Sequence, residues 1–598
     1  MKNLVKRISS MFIVMALLLS IVVPVQAAPA PTISSIQIDN TGNTNTSIDG
    51  ETFSVYRIYN VTTSSYGTYG YRLPNEFLGL PAYVKTNSTG ANSFSNFLGS
   101  KAASSQTLMD YITHLKQSDS VGMHAFATIV KNYVSAHSIA PVASKVASGE
   151  TLMFSISELG NAFGYFLVLG DATAKDGSGD VIGVAGLKTN DDCETFKPKV
   201  DAPTLDKKVE DVKDTPRFDG NAGQHTEAET GWRSSTDAEI GEDVKFQIIT
   251  TIPNMNGYTA YKYTVHDILS KGLTFNGDST VTVSVLDKAG NPHSKAVGTF
   301  NVTSAAHAEG TAITIDFPNI LTDWYAMDAS DSTKSQWAGF QFVIEYTAKL
   351  NQDALVANES PNYNYNKALL EYSNNPYDSS KTNKTPEILV KVYTFEVDVL
   401  KFAEVDKVEK YLADATFRLY RTKAQADAAV EAVLKNQPAP DAGAIKVSLE
   451  ATATDENTYV FNEAGSYDMV TPASGKITVQ GLDEGFYYFV ETKAPDGFNL
   501  LEDCVPVGID AEYNATTGYL EKLYQWVYVN NAWGWELQGT ATTNVADLFA
   551  SLKIKNLFGD KLPETGGIGR TIFTVAGTGM MLAAAVIMIA RKKTSVQQ

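Results

Sequence analysis

Three polar side chains, far apart in the last third of the chain, each fall on the apolar side of a segment that alternates like a strand. In Val397-Asp398-Val399-Leu400-Lys401, the lysine shares a face with Val397 and Val399. In Tyr487-Tyr488-Phe489-Val490-Glu491, the carboxyl shares a face with Tyr487 and Phe489. In Leu552-Lys553-Ile554-Lys555-Asn556, the carboxamide aligns with Leu552 and Ile554. A lone lysine in an apolar core is costly unless it is neutral or paired. Burial lowers the pKa of a lysine and raises that of a glutamate, because both charged forms lose hydration. A neutral amine is a nucleophile. A protonated Glu491 can polarise the Asn556 carbonyl and shuttle protons. Ammonia then leaves, and an amide joins Lys401 to Asn556. Alternation alone is equally compatible with a snorkelling lysine, an edge glutamate and an exposed asparagine.

A second set lies mid-chain. Leu205, Lys207 and Val209 share a face, with Lys208 on the other. Asp267 falls with Tyr263 and Val265, and His266 is expected to face solvent. Asn366, Ala368, Leu370 and Tyr372 share a face further on. Asn364 has the same parity as Asn366, so alternation leaves both as candidates.

These side chains need sandwiches to hold them. The body is rich in Thr, Ser, Asn, Gly, Tyr and Val, and short alternating strands recur between turn residues. The expected fold is all-β: tandem Ig-like sandwiches with small helical insertions. Helices are expected at 105–116, 123–137 and 423–435. Two prolines near each other, Pro198 and Pro203, mark one joint. The polar stretch 379–386 reads as a linker and marks another. The expected units are 28–199, 200–387 and 388–560. At 598 residues with a formal charge of -19, each unit is long enough for its own core. The acidic balance argues against nucleic acid and anionic lipid. Two cysteines, Cys193 and Cys504, make no disulfide framework.

The ends carry addresses. Residues 1–27 read as a signal peptide: Lys2, Lys6 and Arg7, an apolar run, then Val25-Gln26-Ala27. At the other end, 562–598 holds Leu562, Pro563, Glu564, Thr565 and Gly566, an uncharged run long enough to span a bilayer, and Arg591-Lys592-Lys593.

That last arrangement resembles the cell-wall sorting signal of Gram-positive surface proteins, which sortases read. The resemblance implies that a sortase cysteine attacks the Thr565 carbonyl, releases Gly566 onward and passes Thr565 to an amine. The stretch 487–498 resembles the E-box of isopeptide-forming, collagen-adhesin B-type domains in the backbone pilins of sortase-assembled pili. By that resemblance Lys401 and Asn556 are the bonded pair and Glu491 the catalytic carboxyl. The middle unit resembles the collagen-adhesin A-type domain, with Lys207 and Asn366 (rival Asn364) as the pair and Asp267 as the carboxyl. In the first unit Gly164-Tyr165-Phe166-Leu167-Val168-Leu169 resembles the E-box strand, but Leu169 stands where the glutamate should be. No internal bond is expected there.

Backbone pilins also carry an acceptor lysine at the end of the first domain. Lys199, after Pro198, occupies that place, with Lys197 as its rival. The implied product is a head-to-tail fibre of Thr565–Lys199 amides. The partners are a sortase, identical subunits, peptidoglycan and accessory pilins. The location is the cell wall and cell surface, with the precursor held by its C-terminal helix. A monomeric wall-anchored adhesin is the alternative, with the helical insertion at 80–150 as its only candidate binding element. No cofactor and no metal are expected, and no enzyme: the seven histidines form no spaced metal set, and no Ser/His/Asp or Cys/His constellation stands out.

Overall fold

The structure is a computed structural model. It describes residues 35–557 except 64–68, 91, 119, 162–163, 184–185, 190–194, 197, 199, 212–230, 327–334, 358–362, 451–455, 530–531 and 541–551. The signal peptide, the sorting signal with its apolar run, Lys197, Lys199 and Cys193 therefore lie outside the described residues. Among the described residues no helix is long and apolar enough to cross a membrane.

The chain forms successive pairs of twisted sheets. In the first unit Ile36–Asp39 lies between Thr151–Phe154 and Thr195–Phe196. A second sheet runs Gly186–Thr189, Gly164–Leu169, Thr52–Thr63, Tyr69–Arg72, with Ala143–Val146 beside Thr52–Thr63. Four helices, Leu80–Asn87, Phe94–Leu98, Ser105–Ser118 and Ser120–Ala136, are inserted between its strands. They have their own apolar core, built on Leu108, Ile112, Phe126 and Val130 against Ile58, Tyr165 and Leu167. The last two match the expected helices to within a turn. The first two, of eight and five residues, are too short to show a helical period.

The second unit is a sandwich. One sheet runs Gly231–Arg233, Leu205–Asp211, Asp243–Thr251, Gln341–Leu350, Leu273–Phe275. The facing sheet runs Ser235–Asp237, Ile388–Tyr393, Asn364–Ser373, Tyr263–Ser270, Gly310–Asp316, Asn301–His307. In the third unit Phe395–Val405 is flanked by Lys476–Leu482 on one side and, in parallel, by Leu552–Asn556 on the other. The facing sheet contains Thr416–Tyr420, Gly485–Lys493, Val505–Tyr513 and Leu520–Val529. The helix Lys423–Leu434 is capped by Thr422, whose side chain accepts from the Gln425 N–H.

The boundary expected at 387/388 needs correcting. Ile388–Tyr393 pairs with Asn364–Ala368 and with Ser235–Asp237, so it completes the second sandwich. The polar stretch before it is no linker. Thr382–Lys384 pairs with Glu371–Ser373, and the Thr385 hydroxyl accepts from the Leu370 N–H at 3.0 Å. The chain passes from one sandwich to the next at Thr394, whose hydroxyl donates to Leu482 O at 3.0 Å.

Both joints are hydrogen-bonded. At the first, Ile182 N–H donates to Asn374 O at 2.9 Å, and Ser178 and Tyr372 share a hydroxyl contact of 2.6 Å. At the second, Ile240 N–H donates to Gly481 O at 3.0 Å and the Tyr393 hydroxyl accepts from the Leu520 N–H at 3.0 Å. Glu239 and Arg421 also pair across it.

Candidate functional site: two buried lysine, carboxyl and asparagine clusters

In the third sandwich the first and last strands lie side by side, in parallel. Lys401 is opposite Ile554, and Ala403 is opposite Asn556. Lys401 and Asn556 are thus diagonal neighbours on the inner face. Glu491 reaches them from the facing sheet, where it pairs with Phe417. All three are buried. Lys401 Nζ lies 3.0 Å from Glu491 Oε1, and Asn556 Nδ2 donates to the same oxygen at 3.3 Å. The other carboxyl oxygen accepts from the Leu501 N–H at 3.0 Å, which fixes the side chain. The Phe417 ring lies 5.3 Å from the amine and helps keep the site dry. Burial pulls the Lys401 pKa below its usual value, and the nearby Glu491 opposes that only in part. Asn556 Oδ1 is buried with no hydrogen-bond partner, so it is open to a proton donor.

The second sandwich builds its cluster across the sheets instead of along one. Lys207 projects from one sheet, and Asp267 and Asn366 project from the other, on adjacent strands. Lys207 Nζ donates to Asp267 Oδ2 at 2.5 Å and to the Tyr346 hydroxyl at 2.9 Å. That hydroxyl donates to Asp267 Oδ2 at 2.7 Å and accepts from Asn366 Nδ2 at 2.7 Å. Burial lowers the Lys207 pKa and raises that of Asp267, each opposed by the other's charge. The two shifts favour moving the proton from amine to carboxyl, which leaves a neutral nucleophile beside a neutral acid. Asp267 Oδ1 and Asn366 Oδ1 are both buried without partners, as that chemistry requires of an acid and its carbonyl.

The structure brings Asn366 into this cluster and gives Asn364 other work. Asn364 Oδ1 accepts from the Leu355 N–H at 2.9 Å and its Nδ2 donates to Leu355 O at 3.0 Å, so it pins a loop. His266 is half-buried and 2.9 Å from Glu371 on the outer side. Tyr346 was not singled out as a site residue by the sequence reading. Its signal was there: on the face Phe340, Phe342, Ile344, Tyr346 it alone carries a polar tip. Replacing Tyr346 by Phe keeps the ring and removes the hydroxyl that links all three partners. Bond formation in this unit should slow roughly tenfold, the cost of one buried hydrogen bond. Mass spectrometry of freshly folded protein would follow it; unchanged kinetics would remove Tyr346 from the mechanism.

The first unit holds a third set that sequence reading did not find. Asn40 Nδ2 donates to Glu150 Oε2 at 2.8 Å, and Lys175 Nζ lies 3.6 Å from Glu150 Oε1. Here the chemistry is absent. The Lys175 and Glu150 side chains are 40% and 29% exposed. Burial is the largest single influence on Glu150 and raises its pKa, but the bonds from Asn40, Ser47 and the Ile48 N–H together outweigh it and hold the carboxyl below its usual range. A carboxyl held in its ionised form has no proton to give. Cys504, the free cysteine among the described residues, is equally inert: burial and then Asp427 push its thiol up to about 11.

Residues 398–522 match SpaA, a prealbumin-like fold domain. The matched stretch lies in the third sandwich, which is similar to that domain. Residues 558–596 match the LPXTG cell wall anchor motif. The fimbrial subunit type 1 of Actinomyces viscosus is 26% identical over 378 residues, covering 60% of this chain and 62% of that protein. The matched stretch thus spans less than two thirds of the relative. Among solved structures, the T6 backbone pilin of serotype M6 Streptococcus pyogenes is 15% identical, with 89% of this chain and 100% of that chain covered and a TM-score of 0.45. The Corynebacterium diphtheriae major pilin SpaA is 14% identical, with 88% and 99% covered and a TM-score of 0.39.

Proposed function

We propose that this chain is the backbone subunit of a covalent surface pilus. A sortase cleaves after Thr565 and joins its carbonyl to Lys199 of the next subunit, with Lys197 the alternative acceptor. Within each subunit Lys401 is joined to Asn556 and Lys207 to Asn366, with Glu491 and Asp267 as the proton-shuttling carboxyls. The observation that carries this reading is the pair of dry lysine, carboxyl and asparagine clusters in a chain that also bears an LPXTG anchor motif. The similarity to a fimbrial subunit supports it. Each link suits a chain under tension, since the two clusters tie distant parts of the sequence together. Subunits using opposite ends make an open, heterologous contact, which grows filaments. The precursor is held in the membrane by its C-terminal apolar run, and the finished fibre is fixed to peptidoglycan, where it supports adhesion and carries accessory pilins.

The test is an immunoblot of cell-wall extracts boiled in SDS, comparing wild type with Lys199→Arg. Wild type should give a high-mass ladder, and the variant should collapse to monomer. A ladder that survives the change moves the acceptor to Lys197. No ladder in wild type would leave a wall-anchored monomeric adhesin.

A further inference from the structure

The two clusters, the sorting motif and the acceptor lysine leave one built element unused. The helices inserted in the first unit meet loops of the second across a cavity of about 600 Å³. That volume is typical of sites for small ligands. Asn87, Asn132 and Tyr111 line it from the helical side, and Tyr258, Tyr325 and Tyr377 from the second unit. None of its lining residues carries a formal charge, although 19% of the chain is charged and its net charge is -19. The nearby ammonium of Lys131 is stacked on the Tyr377 ring instead, 3.5 Å from the centroid.

This lining selects a ligand by chemistry. Ions find no counter-charge. Aromatic rings take up weakly polar C–H faces, while carboxamides and hydroxyls offer donors and acceptors together. A ligand with apolar faces and a rim of hydroxyls uses both. A proline-rich peptide would use the rings and leave the carboxamides unpaired. The walls are also held in place before anything binds. The Tyr111 hydroxyl donates to Asn92 O at 2.7 Å, Tyr325 to Asn256 Oδ1 at 3.2 Å, and Asn87 Nδ2 to Tyr83 O at 2.8 Å. Such preorganisation lowers the cost of binding.

We propose that this cavity binds a neutral oligosaccharide. The site stands whether the chain polymerises or not. In a fibre, weak sites repeated along the shaft would gain avidity without any new contact.

The test uses protein released from the cell wall, with calorimetric and saturation-transfer titrations of lactose, N-acetyllactosamine, maltotriose and chitotriose, and decaproline beside them. At least one sugar should bind saturably. Asn132→Ala should weaken it about tenfold, the loss of one or two hydrogen bonds. Ala125→Trp should abolish it by filling the cavity. Both positions line the cavity and are solvent-exposed, so the fold should survive, as an unchanged melting curve would verify. The proposal is overturned if no sugar saturates, if both variants bind as wild type does, or if decaproline alone binds.

Discussion

Glu491→Ala protein should be about 17 Da heavier than expected from the substitution alone, because it keeps the ammonia that wild type loses in forming the bond. Wild type itself should fall about 34 Da short of its sequence mass, one ammonia for each of two clusters. A third loss would mean that the solvated set of Lys175, Glu150 and Asn40 also reacts. That would refute the argument from burial, since Lys175 is 40% exposed. The same variant should melt earlier. The bond from Lys401 to Asn556 closes nearly the whole third sandwich, and a crosslink over so long a loop contributes about 4–5 kcal/mol. For a unit of this size that is a fall of roughly 10–15 °C in the third-unit transition. Removing Glu491 also strips the buried Lys401 of its partner 3.0 Å away, so the fall should not be smaller. A variant that keeps the 34 Da deficit and wild-type melting would show that the bond forms without Glu491.

The reactive side chains were legible because a strand repeats every two residues, and a polar residue on an apolar face breaks the rule visibly. Lys401 and Glu491 stand out in that way, as do Lys207 and Asp267. The same period explains what was not legible. Asn364 and Asn366 have equal parity, so only their neighbours across the sheet separate them. Tyr346 satisfies the apolar pattern with its ring and hides its hydroxyl in it. The joint at Thr394 leaves no trace in composition, because strands on either side are equally apolar and nothing flexible lies between Tyr393 and Phe395. The polar run before Pro386 looked like a linker because edge strands, with one side exposed, are polar too. Lys175, Glu150 and Asn40 converge from loops and short strands, where no periodicity points.

Asn366→Ala and Asp267→Ala lose the same covalent bond, yet they should differ sharply in stability and in its pH dependence. Both proteins should fall only about 17 Da short of their substituted sequence mass, one ammonia where wild type loses two. In Asn366→Ala the buried Lys207 keeps its carboxyl at 2.5 Å and its hydroxyl at 2.9 Å. In Asp267→Ala it keeps only the Tyr346 hydroxyl. Removing one partner of a buried ion pair costs about 3–5 kcal/mol, so Asp267→Ala should melt lower by roughly 10 °C. Its stability should also climb with pH. Burial already lowers the Lys207 pKa, and the carboxylate that opposed this is gone. The folded protein then holds no proton at this site over a range where the unfolded lysine, with a pKa of about 10.4, still holds one, so stability rises with pH through that window. In Asn366→Ala the folded pair shares one proton, as many as the unfolded chain holds on the same two groups near neutral pH. Its slope from this site should be close to zero there. Paired melting curves from pH 6 to pH 10 would decide it. Equal midpoints and parallel profiles would mean that Asp267 is not the partner of a buried Lys207.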